Sequence, residues 1–490
     1  MTNSFTRKYG AEILRKPQFA AVLIAVVLGL GYVTAHGGMV SGIGIIILPF
    51  IISYIYLVFM VPKAGLVGMY ILNFTAIGIG RYVKGVPMGL TIDAHFILIY
   101  ASLFFMAFFR KIPWSNAKND LTLLAVVWYA YALFQLVNPE AVSRVAWFYA
   151  MRGVSLYMLF AIPVLFILFN KNKDLDMFLK LWAVFSVFAV LKGLMQKFIG
   201  VDPFEQAWLD EGNDSTHLLF GKLRVFSYYS DAGQFGAAMG HTGVVFSILG
   251  WHEKKSFKLK VFYLVVGFLG LYGMMISGTR GAIAVPIVGG ALYFVLKKNM
   301  KILALGLVMG VAVLVFFKYT SIGSGNYTIQ RMRTAFDPND ASLQVRLANQ
   351  RKLKTYLASR PFGGGIGSAG GWGLRFSPHT FLAQTATDSW YVMIWAEQGV
   401  IGLVLHLCIL FYIVGKGAYV IMFKLKDEEI KAKMSALVCG IFGIMGASYG
   451  NGVLGQMPTG ILIYSSMAFL FMAQKLDKEQ TELNALNDKN

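Results

Sequence analysis

Charged residues are scarce in this sequence, since Asp, Glu, Lys and Arg make up only 14% of its 490 residues. A soluble globular protein carries about 25%. Hydrophobic residues reach 57%, so an ordinary soluble domain is excluded and a membrane protein is predicted. Acidic residues are the scarcest charged group, with 24 Asp and Glu against 44 Lys and Arg. In a membrane protein this excess indicates topology, so we expect no binding to nucleic acid.

Cysteine is almost absent, and neither Cys408 nor Cys439 stands at a spacing typical of a metal or redox site. The sequence therefore gives no sign of a disulfide framework. The seven histidines show no HxH or HExxH pattern, and the chain has no P-loop or dinucleotide-binding glycine pattern. We expect no metal, no nucleotide and no other cofactor.

Long apolar runs are what the sequence has in abundance. A transmembrane helix needs about 20 mostly apolar residues, and about fourteen runs qualify, beginning with Phe19–Ala35 and Val40–Met60. The longest run, Trp390–Phe423, fits one tilted helix or a helix with an interfacial piece. The predicted fold class is an all-α polytopic membrane protein of about 12–14 transmembrane helices, with a large extracytoplasmic loop between the late helices.

Basic residues fall mainly in alternate loops, which predicts a cytoplasmic N-terminus by the positive-inside rule. Two long segments then face outward, and loops of such length are usually functional. The predicted parts are an N-terminal transmembrane bundle (1–199), helices with a first outward loop at 200–230 (200–317), the large extracytoplasmic loop (318–387), C-terminal transmembrane helices (388–474) and a cytoplasmic tail (475–490).

The large loop is rich in arginine, which is unusual for an outward segment. Within it, Ser342–Ser359 has the leucine spacing of an amphipathic helix. We expect this helix to lie on the membrane interface or to cap the helical bundle. The run RPFGGGIGSAGGWG that follows predicts a helix stop and then a flexible, glycine-dense loop.

Four outward arginines are candidates for binding an anion. Arg280, in SGTRGA, interrupts an apolar run, so it either reaches lipid phosphates at the membrane surface or binds an anionic group of a substrate. Arg224 precedes Asp231, whose simplest role is a helix N-cap. Arg346 and Arg360 lie in and just after the amphipathic segment. Several arginines converging on one cleft would suit a pyrophosphate.

Four motifs follow one another along the chain: RVFSYYSDAGQFG, SGTRGA, VRLANQRKLKTYLASRPFGGGIG and DSWYVMIWAEQGVIGL. Together they resemble the O-antigen ligase and O-antigen polymerase superfamily of bacterial envelope proteins, over about Arg224 to Leu405. The last two motifs are the most specific. The resemblance implies a metal-independent membrane glycosyltransferase that moves a glycan from an undecaprenyl-pyrophosphate carrier to an acceptor hydroxyl.

The resemblance also implies partners, a location and site residues. The donor would be a polyprenyl-pyrophosphate-linked glycan, the acceptor a glycan or a lipid, and membrane lipids would surround the chain. The active site would lie on the extracytoplasmic side of the bacterial inner membrane. Arg224, Arg280 and Arg346 match the family positions that hold the pyrophosphate, and Arg360 is a further candidate for substrate binding.

One departure from the family concerns the base. Related ligases begin the WAEQG-type helix with a His-Asn pair, and here Asp388 and Ser389 stand at those positions. Asp388 is therefore the candidate general base, with His379 as the alternative. A helix N-cap is an equally good interpretation of Asp388. The missing pair favours an O-antigen or exopolysaccharide polymerase over a lipid A core ligase.

A lipid-linked oligosaccharide flippase or another polysaccharide transporter is the alternative from a different class. Many spans with buried cationic residues also suit a carrier. The large outward loop argues against a transporter, because transporters bind their substrates near the membrane midplane.

Overall fold

The computed structural model describes residues 17–83, 88–219, 221–325, 327–334, 337 and 339–487. Helices make up most of this part of the chain, and its two short antiparallel strands pair Leu218 with Leu223 and Leu219 with Lys222. The predicted all-α polytopic fold class is confirmed.

The helices fall into three groups along the chain. The first group is α1 (Pro17–Met60), α2 (Pro62–Ile79), α3 (Met88–Ala107), α4 (Asp120–Phe134), α5 (Arg144–Met151), α6 (Tyr157–Leu168) and α7 (Asn172–Phe198). The second is α8 (Pro203–Trp208), α9 (Asp214–His217), α10 (Ala232–His252), α11 (Phe257–Ile276), α12 (Ala284–Leu296) and α13 (Met300–Tyr319). The third is α14 (Tyr327–Arg333), α15 (Ala341–Leu357), α16 (Gly370–Phe376), α17 (Phe381–Gln384), α18 (Trp390–Phe423), α19 (Glu428–Ala447) and α20 (Thr459–Asn487).

Short turns of other helix types connect some of these elements. The 3-10 turns are Trp114–Ala117, Gln135–Val137 and Arg280–Ile283, and the π-helical turns are Arg152–Leu156 and Leu209–Asn213. The strands are β1 (Leu218–Leu219) and β2 (Lys222–Leu223).

Eight helical stretches of the described chain are long and apolar enough to cross a membrane. They are Met88–Ala107, Asp120–Val137, Arg144–Leu168, Asn172–Phe198, Phe257–Ile276, Trp390–Phe423, Glu428–Ala447 and Thr459–Leu486. Shorter apolar helices are Gly44–Met60, Arg280–Leu296 and Leu303–Tyr319. The chain is a multi-pass membrane protein.

The first two predicted spans are not separate. Phe19–Ala35 and Val40–Met60 form one continuous helix of 44 residues, α1. The sequence between the two runs contains Gly37 and Gly38, but a glycine inside a helix costs only about 1 kcal/mol and does not have to end it. At 1.5 Å per residue this helix is about 66 Å long, so it does not cross the membrane twice in opposite directions.

The chain forms two compact units. One consists of the described residues of Met1–Gly65 together with Leu98–Arg110, and the other of Leu66–Ile97 and Lys111–Asn490. All the candidate site residues lie in the second unit. Its core is organised around α10, which is buried along almost its whole length.

Helix α10 packs closely against α11 because both carry glycine at the contact. A Cβ atom added at Gly270 would lie 2.7 Å from the backbone nitrogen of Gly243 and 2.8 Å from the carbonyl oxygen of Met239. Only residues without a side chain allow the two backbones to come so near. The contact lies in the second half of α11, which leads into the turn that carries Arg280.

Candidate active site

A cavity of about 320 Å³ brings together residues from three parts of the second unit. The 3-10 turn after α11 and the first half of α12 form one side, and the segment around the start of α15 forms the other. The lining residues are Arg280, Gly281, Ile283, Ala284, Ile287, Val288, Thr334, Asp340, Leu343 and Arg346.

Arg280 is held by two partners from the large loop. Its Nη1 lies 2.5 Å from Asp340 Oδ2 and donates to Thr334 Oγ1 at 3.0 Å. The turn before Arg280 is fixed as well, since Arg331 Nε donates to the carbonyl oxygen of Gly278 at 2.6 Å. Partial burial raises the pKa of Asp340, but the hydrogen bond from Arg280 and those from the backbone outweigh it, and the net shift is downward.

Arg346 projects into the same cavity from α15 and pairs with Asp388. The distance from its Nε to Asp388 Oδ2 is 3.4 Å. The side chains are 36% and 46% exposed, so both remain accessible to a substrate. The structure thus brings together three of the predicted site residues: Arg280 and Arg346 line the cavity, and Asp388 contacts Arg346.

The backbone of Asp388 is unusual. Its φ angle is +46°, in the left-handed region that non-glycine residues rarely adopt. The N-cap of α18 is Ser389, whose Oγ accepts from the backbone nitrogen of Val392 at 3.4 Å. The interpretation of Asp388 as the helix cap is therefore wrong, because the hydroxyl of Ser389 caps the helix instead. The cap expected at Asp231 is confirmed, since its Oδ1 accepts from Gln234 N at 2.9 Å.

Arg224 lies beside the cavity without lining it. Its Nη2 donates to Thr279 Oγ1 at 3.2 Å, and its Nη1 donates to the carbonyl oxygen of Thr216 at 3.1 Å. Thr279 directly precedes Arg280, so Arg224 stabilises the turn that carries Arg280.

Arg360 and His379 are not among the residues that line the cavity. Arg360 Nε pairs with Glu140 Oε2 at 2.9 Å, and its guanidinium lies 4.2 Å from the ring centre of Tyr356. The contact with Glu140 raises the pKa of Arg360. His379 is exposed in the turn between α16 and α17. The structure therefore does not bring all the predicted residues together in one site.

Sequence reasoning missed Asp340 and Thr334. Asp340 is the N-cap of α15, with its Oδ1 accepting from Leu343 N at 3.0 Å. An aspartate just before an amphipathic helix is a recognisable cap signal, but it gives no sign of a contact with Arg280. The predicted helix at Ser342–Ser359 is confirmed as α15, which packs Leu353 and Leu357 against α17 and α18.

The glycine-dense loop after α15 is hydrogen-bonded to α18. It fits into a break of α18 at Gly399, whose φ and ψ are 69° and −173°. Gly364 N donates to Ala396 O at 2.9 Å and Gly365 N to Glu397 O at 2.8 Å. The buried Glu397 carboxylate accepts from Ala369 N at 3.2 Å. The last two motifs therefore form one structure, which holds the start of α18 and Asp388 in place.

Within the described residues, no three His, Cys, Asp or Glu side chains are grouped so that they could hold a metal ion. Metal independence stays a prediction.

The described fold is that of a polytopic helical membrane protein, and its cavity is lined by two arginines that each lie beside a carboxylate. Residues 262–407 match the family described as O-antigen ligase. The chain is also 24% identical over 242 residues to an O-antigen polymerase of Salmonella muenchen, and the alignment covers 49% of this chain and 58% of that protein. These matches confirm the resemblance to the O-antigen ligase and polymerase superfamily. Arg224 precedes the family match, and the other candidate residues fall inside it.

Proposed function

We propose that this chain is a membrane glycosyltransferase that transfers a glycan from a polyprenyl-diphosphate carrier, such as undecaprenyl pyrophosphate, to the hydroxyl of an acceptor glycan. The observation that carries the proposal is that one side of the cavity is cationic and the other is aliphatic. Arg280 and Arg346 supply guanidinium groups, while Ile283, Ile287 and Val288 supply an aliphatic wall. An amphiphile with a charged head and a hydrocarbon tail matches both sides.

The aliphatic wall continues to the outside of the protein. Ile287 is 40% exposed, and it lies on α12, which belongs to an apolar helical stretch. The lipid tail leaves the cavity along this face into the bilayer. Guanidinium groups suit the head of such a lipid, since they hold phosphate oxygens with paired hydrogen bonds.

The proposed reaction is a substitution at the anomeric carbon of the donor sugar. The acceptor oxygen forms a bond to that carbon and the bond from the carbon to the phosphate oxygen breaks. The diphosphate leaves with the bonding electron pair, and Arg280 and Arg346 stabilise its growing charge. Asp388 takes the proton of the acceptor hydroxyl. Its position beside Arg346 would put the base next to the leaving group's binding site.

A polymerase is favoured over a lipid A core ligase. The relative from Salmonella muenchen is described as an O-antigen polymerase, and Asp388 and Ser389 replace the His-Asn pair of related ligases. The proposed location is the bacterial inner membrane, with the cavity on the extracytoplasmic side, because the basic loops predict that the segment 318–387 faces outward.

The glycan profile of a deletion strain tests the proposal. A polymerase predicts loss of polymer while a single repeat unit is still attached to its acceptor. Accumulation of full-length lipid-linked polymer would instead identify a ligase.

Arg280→Lys tests the cavity itself. Lysine keeps the charge but loses the planar fork, so we expect polymer synthesis to fall strongly at normal protein abundance. Arg351→Lys is the matched control, because Arg351 is exposed on α15 and is not a lining residue. Normal polymer with Lys at position 280 would rule out diphosphate binding by this residue.

A further inference from the structure

Each arginine of the cavity faces a carboxylate of the same chain. Arg280 Nη1 lies 2.5 Å from Asp340 Oδ2, and Arg346 Nε lies 3.4 Å from Asp388 Oδ2. The two positive charges are therefore balanced by two negative charges. A substrate anion that binds these guanidinium groups has to compete with carboxylates that cannot diffuse away.

Asp340 is the stronger of the two competitors. Its contact with Arg280 is shorter, and the side chains of this pair are only 20% and 18% exposed, against 36% and 46% for Arg346 and Asp388. Charged contacts are less screened when they are partly buried. Thr334 Oγ1 accepts from the same Arg280 nitrogen, which fixes the guanidinium in the orientation that Asp340 uses.

The two oxygens of Asp340 have separate tasks. Oδ1 caps α15 by accepting from Leu343 N at 3.0 Å, and Oδ2 pairs with Arg280. Because the cap ties Asp340 to the first turn of α15, its carboxylate stays close to Arg280 even when another anion takes the guanidinium. A tethered group competes at a high effective concentration.

We propose that Asp340 is an internal counter-ion that displaces the diphosphate product from Arg280 after glycan transfer. This inference rests on the proposed function. The same guanidinium that stabilises the leaving diphosphate would hold it afterwards, and slow product release limits turnover in many enzymes. By pairing with Arg280 again, Asp340 lowers the affinity for the product and prepares the cavity for the next donor.

Asp340→Asn separates the counter-ion from the cap. Asparagine is a favoured N-cap of nearly the same size, but it carries no charge. We expect the variant to bind farnesyl diphosphate about tenfold more tightly than the wild type, since a hydrogen-bonded charge has been removed from the competition. The measurement is isothermal titration calorimetry on the full-length protein in detergent. Polymer synthesis over many turnovers should fall, although the affinity rises.

Two further variants make the test secure. Asp340→Ser also keeps a good cap and removes the charge, so it replaces Asp340→Asn if that variant folds poorly. Asp337→Asn is the matched control, because this exposed carboxylate accepts from Asn339 N at 2.9 Å and is not a lining residue. It should bind farnesyl diphosphate like the wild type.

The outcomes distinguish the inference from the proposed function. If the wild type binds farnesyl diphosphate and both Asp340 variants bind it equally or more weakly, the counter-ion role is overturned and the proposed function stands. If neither the wild type nor any variant binds it, the proposed diphosphate site is wrong, and the inference fails with it. A rise in affinity together with faster turnover would also overturn the role in product release.

Discussion

Asp388→Asn is the substitution that tests the general base most directly, because the structure indicates that it should disturb the fold very little. Ser389, not Asp388, caps α18. The left-handed backbone at position 388 is a conformation that asparagine tolerates nearly as well as aspartate. Asparagine also keeps the volume of the side chain, but it cannot accept a proton from the acceptor hydroxyl.

The expected magnitudes differ enough to decide the question. The structural loss is the ion pair with Arg346, whose partners are 36% and 46% exposed, and such pairs contribute at most about 1 kcal/mol. Loss of a general base lowers the rate by about 10²- to 10⁴-fold, which corresponds to about 3 to 5 kcal/mol of transition-state stabilisation. The variant should therefore be present at normal abundance and make almost no polymer.

The assay compares polymer per amount of protein in membranes of strains that carry each variant. His379→Asn is tested beside it, because His379 is the alternative base. We expect this variant to behave like the wild type, since His379 does not line the cavity. Polymer at wild-type levels in both variants would show that neither side chain removes the proton. A drop in the abundance of Asp388→Asn would show that the ion pair matters more for folding than its exposure indicates.

Two other expectations follow from the large loop. Gly399→Ala should unfold the region around the break in α18, because a Cβ at this position would lie 1.9 Å from Pro361 O and a positive φ alone costs about 1–3 kcal/mol. Faster proteolysis of the glycine-dense loop in detergent measures this effect. An unchanged rate of proteolysis contradicts it. A cysteine at Ser342, which is exposed, should react with a membrane-impermeant maleimide in cells with a permeabilised outer membrane, and one at Ser256 should not. The reverse pattern would place the cavity on the cytoplasmic side.

Much of the fold could be predicted because hydrophobicity and charge are local properties of the sequence. Apolar runs predicted the membrane helices, and the leucine spacing of Ser342–Ser359 predicted α15. The division of α1 into two spans was wrong for a physical reason. A glycine lowers helix stability by a small amount, and the rest of a long apolar helix outweighs it.

The site could be predicted only in part. Arg280 was found because a cation that interrupts an apolar run needs a partner, and Arg346 because it lies in the arginine-rich loop and matches a family position. Their partners were harder to find, since Asp340 lies 60 residues from Arg280 in sequence and its own local signal is that of a helix cap. Arg360 was assigned to the same site from its neighbourhood in sequence, yet its contact with Glu140 depends on how distant segments pack, which no local pattern records.

The seating of the glycine-dense loop in α18 has a consequence for exchanging parts between relatives. The hydrogen bonds from Gly364 and Gly365 to Ala396 and Glu397 close the chain between these residues into one structural unit. Chimeras that replace residues 361–399 as one block should keep these hydrogen bonds intact and transfer Asp388, whereas its partner Arg346 would still come from the recipient. Chimeras with a junction inside the block would combine a glycine-dense loop and a helix break from two different proteins, which have not evolved to fit each other.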